Sequence, residues 1–376
     1  MNERKLNIDN IRTSMEKLGL TQTDLSTKVQ VSKEAVSKWL KGEKFPRPLK
    51  LLELSKQLKL SFHDLVVQEY SNIPIVAFRT NKNKKITKEL ESLALDMGEV
   101  LKLLLPYIDR DFVFTAPIIQ NPSLDYEYIQ KVALEIRKKT GLNSKEISFS
   151  EIMMLYSSFR IIFVPVMWGN NGNNGLYINL PESNITFVYA NLEKVITDFK
   201  FWLLHELAHS MTPSLSGEES ETFADSFAGA VLFPQALAKK AYEEIIKIRN
   251  TGTAINRIKE LASKYVISPY TIFNEIQNYA IRFSLPELNM EMGGAVTNFN
   301  KEVSLVSEII FQEKNPDAEK YITVCKDVFG SSFFNALEWY LKDKEKEAGV
   351  VQRLMNIPIA DAKGVYSALV KTKNPA

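Results

Sequence analysis

The segment His205-Glu206-Leu207-Ala208-His209 constrains this chain more than any other. Only three histidines occur in 376 residues, His63, His205 and His209, and two of them stand four apart. Residues four apart share one face of an α-helix, with Cβ atoms about 5–6 Å apart. On such a helix two imidazoles can grip one ion. The spacing therefore requires a helix here, and Phe199, Trp202, Leu203, Leu204 and Leu207 supply an apolar wall around it. Glu206 would sit beside the open position of a bound ion, where it can take a proton from water as a general base. The single cysteine, Cys325, excludes an intramolecular disulfide and any site built from several thiolates.

A catalytic zinc takes three protein ligands and keeps one position open. No third histidine is close in sequence, so the third ligand should be a carboxylate on a following helix. Glu218, Glu219, Glu221 and Asp225 are the candidates. Glu221 and Asp225 are four apart and share a face. Glu221 can ligate the metal while Asp225 hydrogen-bonds the far nitrogen of a liganding histidine and fixes its tautomer. Glu218 and Glu219 suit a solvated helix entry. Phe223, Phe227, Ala230 and Val231 should pack inward.

The N-terminal 70 residues have a different character. They hold 13 Lys/Arg against 9 Asp/Glu, in a chain whose net charge is +2. Residues 7–69 read as five short helices punctuated by Gly19, Thr21, Ser32, Gly42 and Ser61. The spacing Leu20-Thr21-Gln22, Leu25, Val31-Ser32, Val36, Trp39, Gly42 is that of a helix-turn-helix, which leaves its second helix free to enter a major groove. Ser32, Lys33, Glu34, Ser37, Lys38 and Lys41 would face double-stranded DNA, and Gln22 would hold a phosphate with the amides of its helix N-terminus.

Between residues 71 and 90, Pro74 and a polar, lysine-rich run mark a linker. Residues 88–105 and 124–140 are amphipathic helix candidates. Arg160–Pro165, Leu176–Leu180 and Ile185–Tyr189 read as strands of a small sheet. The Asn/Gly stretch Gly169–Gly175 reads as a hairpin connection able to act as a lid. Residues 240–283 and 301–372 are mainly helical, with a second helix-turn-helix spacing over 261–283. The fold class is α+β: mainly α with a small β-sheet. Four parts are expected: a DNA-binding unit over 1–70, a linker over 71–90, a metallopeptidase domain over 91–240 and a helical region over 241–376. The start of the chain has no signal-peptide pattern, and the longest apolar run, Ile161–Trp168, is far shorter than a membrane span. A cytoplasmic protein with no membrane partner is expected.

Two resemblances follow from these motifs. Residues 6–67 resemble the XRE (lambda-repressor/Cro-like) helix-turn-helix domains, which bind operators and commonly act as homodimers. His205–His209 with Glu221-x-x-Ala224-Asp225-x-Phe227-Ala228 and Leu232-Phe233-Pro234 resembles the ImmA/IrrE metallopeptidases, over about residues 70–285. That resemblance implies a zincin-like domain with His205, His209 and Glu221 as Zn2+ ligands and Glu206 as general base. It also implies a repressor as protein substrate. Phe223 departs from the family, which often carries a second Glu there. A further reading is an antitoxin or immunity-type repressor that controls its own operon and neutralises a neighbouring toxin.

Overall fold

The computed structural model describes residues 4–60, 65–68, 73–79, 87–108, 118–139, 141, 146–169 and 172–371. The chain divides into two units, Met1–Ile73 and Pro74–Ala376.

In the first unit, α1 (Ile8–Lys17), α2 (Gln22–Val29), α3 (Lys33–Leu40) and α4 (Pro48–Leu58) surround a small core. Their starts follow from local chemistry. Asn7 caps α1, Thr21 and Asp24 form a reciprocal capping box on α2, and Ser32 caps α3. Gln30 takes the left-handed conformation that closes α2 and turns the chain into α3. Ile11, Leu25, Val29, Val36, Leu54 and Leu58 are almost fully buried and lock the crossing of α2 with α3. Strands β1 (Arg4–Leu6) and β2 (Val66–Gln68) pair antiparallel and tie the two ends of the unit together. The fifth helix expected from Ser61, and His63 with it, lie outside the described residues except at Leu65.

The second unit is built on a four-stranded sheet in the order β3-β5-β6-β4. Its strands are β3 (Ile75–Arg79), β4 (Ile161–Val166), β5 (Gly175–Leu180) and β6 (Ile185–Asn191). β3, β5 and β6 run antiparallel in turn, and β4 joins β6 in parallel. The helices are α5 (Lys88–Leu101), α6 (Tyr126–Lys139), α7 (Phe149–Ser158), α8 (Ile196–Met211), α9 (Gly217–Leu232), α10 (Gln235–Ile245), α11 (Thr251–Tyr265) and α12 (Pro269–Arg282). They continue with α13 (Gly293–Asn300), α14 (Val306–Phe311), α15 (Ala318–Phe329), α16 (Phe333–Asp343), α17 (Ala348–Met355) and α18 (Ile359–Lys371). The chain is thus mainly helical with a small sheet, an α+β fold.

Three expectations are corrected here. The linker placed at 71–90 contains a strand: Ile75–Arg79 pairs with β5, so part of it belongs to the sheet. Pro74 and the following lysines hid this short β-branched run. Residues 241–376 are not a separate region after a domain ending at 240, because one apolar core runs from Ala94 to Leu369. The reason lies at β4, where Tyr321 donates to the Pro165 carbonyl at 2.6 Å and Ser331 to that of Phe163. The later helices thereby cover an edge that would otherwise be open. Finally, Gly169–Gly175 is no hairpin, since β6 lies between β4 and β5. Asn191 Nδ2 donates to the carbonyls of Gly169 and Asn173, and Gly169 N donates to Glu193, so the stretch is pinned to the end of β6.

Candidate metal centre and candidate nucleic-acid interface

Helix α8 leaves the sheet after β6 and buries Phe199, Leu203, Leu204 and Leu207, each at most 1% exposed. The opposite face of the same helix carries His205, Glu206 and His209. Helix α9 packs against α8: Phe223, Phe227, Ala230 and Val231 are fully buried, and Glu221 and Asp225 are left on the face toward the histidines. Phe223 stacks on Phe227, so this side chain belongs to the core and not to the site.

Three of the expected residues converge. Glu221 lies 3.5 Å from His205 Nε2 through one oxygen and 3.4 Å from His209 Nε2 through the other. The two Nε2 atoms are 2.8 Å apart. One donor atom from each of the three residues falls within 4.8 Å of the others. Glu218 and Glu219 stay in the first turn of α9, where carboxylates suit the helix dipole.

The far side of each imidazole is also held. His205 Nδ1 is 2.7 Å from Asp225 Oδ1, and His209 Nδ1 is 3.0 Å from Ser220 Oγ. A carboxylate on Nδ1 keeps the proton there and leaves the Nε2 lone pair toward the centre. Ser220 can accept from His209 in the same way. Two lone pairs 2.8 Å apart repel unless a cation or a proton lies between them. Ligand atoms of a tetrahedral zinc are about 3.4 Å apart, from bonds near 2.0–2.1 Å. The Glu221 contacts already have that spacing, and the imidazoles need a small opening rotation. The donor set therefore fits zinc. When the centre holds protons in place of a cation, His205 and then His209 hold the Glu221 carboxyl well below the usual carboxylate range.

Glu206 does not join the cluster. Its Oε2 is buried with no hydrogen-bond partner among the described residues. Such an atom is costly to bury without a partner. The apolar wall is one-sided, because the side chains of Glu221 and Asp225 are more than half exposed. Among the described residues the centre is therefore open to solvent on the α9 side.

Two site features were not singled out by the sequence. Ser220 directly precedes Glu221 and carries no motif of its own. Of the two nearby tyrosines, Tyr189 is spent on structure, since its hydroxyl donates to the Leu354 carbonyl. Tyr177 on β5 instead meets the His209 ring edge to face at 6.4 Å, and burial pushes its phenol up.

In the N-terminal unit, Gln22 is exposed at the first position of α2, and Lys33, Glu34 and Lys38 are exposed along α3. Ser37 is partly exposed, and Lys41 is exposed at the C-cap. Ser32 Oγ accepts from the Ala35 amide, so it builds the helix start. Lys50 is turned away from this basic face: it donates to the Val29 carbonyl and pairs with Glu53.

A Helix-turn-helix family model matches residues 11–65 of the chain. No curated protein and no solved structure matches it. The match and the α2–α3 geometry agree: the N-terminal unit carries an XRE-type helix-turn-helix, which supports double-stranded DNA binding and a role in transcription regulation. No helix among the described residues is long and apolar enough to cross a membrane.

Proposed function

We propose that this regulator is also a zinc-dependent endopeptidase of the ImmA/IrrE kind, acting on a regulatory protein such as a repressor. One observation carries the reading. His205, His209 and Glu221 converge from two helices, beside a Glu206 oxygen that is buried and unpartnered. His205, His209 and Glu221 would hold zinc, which would supply a Lewis acid able to acidify water and polarise a carbonyl.

The chain's own residues supply the rest. Glu206 takes a proton from the attacking water and returns it to the leaving amine. Asp225 and Ser220 orient the imidazoles. An extended substrate needs a free strand edge near the site. β4 is covered, so the edge that suits is β3, where Ile75 and Ala77 are exposed. Ala77 pairs with Tyr177, whose ring touches His209, so β3 runs one strand away from the centre. A regulator that both binds operators and cuts repressors would act where its substrate is concentrated.

The test is co-expression with XRE-type repressors of the same cell, followed by intact-mass analysis. Wild type should cleave one of them. Glu206→Gln should lower the rate by about 10²–10⁴ while keeping zinc. Equal cleavage by wild type and Glu206→Gln would remove the peptidase reading.

A further inference from the structure

A cavity of about 890 Å³ opens in the second unit, away from the metal centre and sharing no residue with it. Its walls come from four places. They are the pinned stretch after β4, Glu193 after β6, the start of α15, and the turn from α17 into α18. The size lies within the range of sites that enclose a small organic ligand.

Its chemistry is one-sided. Glu193, Asp317 and Asp361 line it, and no lysine or arginine does so among the described residues. Asp317 caps α15, and Asp361 lies in the first turn of α18, so helix amides offset about half a charge at each. The Lys194 ammonium, 3.1 Å from the Gly172 carbonyl, offsets a further charge, so an excess of about one negative charge remains. Asp361 is exposed and makes no hydrogen bond or ion pair with the described residues. Glu193 spends one oxygen on the Gly169 amide at 2.5 Å.

The remaining wall is flat and apolar. The Trp168 indole stacks on Tyr189 with centroids 6.0 Å apart and planes 14° apart. Its Nε1 donates to the Met355 carbonyl at 3.0 Å. The ring is thus fixed before any ligand arrives, and a fixed indole beside carboxylates favours a cation with a flat body. We propose that this cavity binds a small organic cation, an amine attached to an aromatic or similarly flat body. The ligand would bridge Asp361 on α18 and Glu193, three residues before the helix that carries His205.

Calorimetric titration of the full chain with tryptamine and with indole-3-acetate tests this, because the two share a ring and differ in charge. Tryptamine should bind with a Kd below about 1 mM. It should bind at least about tenfold more tightly than indole-3-acetate. Asp361→Asn should weaken tryptamine by at least about tenfold with a nearly unchanged melting temperature, since the side chain is exposed and the replacement brings no positive charge to the helix start. Ala360→Trp, which fills the mouth from another position, should abolish binding. Equal affinity for the two probes, no binding of tryptamine at millimolar concentration, or full binding by both variants would overturn the proposal.

Discussion

His205 shows how much one side chain must be told by its neighbours. It is fully buried, its Nδ1 faces Asp225 and its Nε2 faces His209 and Glu221. Removing Asp225 frees the tautomer and the ring. Asp225→Ala should therefore lower zinc affinity by about 10–100-fold while leaving the fold intact, as measured by competition with a zinc chelator. Unchanged affinity would mean that the 2.7 Å contact has no orienting role. At this scale the site was largely legible. The i,i+4 spacings of His205 with His209 and Glu221 with Asp225 place side chains on helix faces without any tertiary knowledge. Ser220 was not legible, because its partner His209 stands on another helix and a serine carries no spacing signal.

Elements explain the next layer. Helix α3 offers Lys33 and Lys38 to solvent while Val36, Trp39 and Leu40 are buried. Lys38→Ala should weaken operator binding and reduce the slope of log affinity against log salt by about one. An unaltered slope would place Lys38 away from phosphate. A different element pair predicts a pH effect. Glu275 on α12 is 4% exposed and lies against α9 at Gly229, where a side chain would collide with its carboxyl. Burial pushes Glu275 up to about 8. The folded chain thus holds this proton more tightly than the unfolded chain. The resulting stability is fully present below the ordinary carboxylate value and is lost as pH rises through about 8. The melting temperature should fall over that interval, and Glu275→Gln should flatten the fall. The helices that build these pairs follow from caps and apolar spacing. β3 was missed because a five-residue strand has too few alternations to stand out beside Pro74 and a lysine-rich run.

The whole molecule joins a basic reading head to a larger body whose last helices finish the sheet. Nothing local in residues 286–376 announces that role. Tyr321, Ser331, Leu354 and Met355 matter through contacts with residues more than 150 positions away, which sequence spacing cannot display. The same long-range closure creates the acidic cavity. Helices α8 and α9 are proposed to hold one metal ion between them. Metal content of the purified full chain tests it most directly. Wild type should carry about one zinc per chain, and Glu221→Ala should lose most of it while keeping the helical circular dichroism. A folded wild-type chain that stays free of metal in excess zinc would rule out a zinc site between α8 and α9.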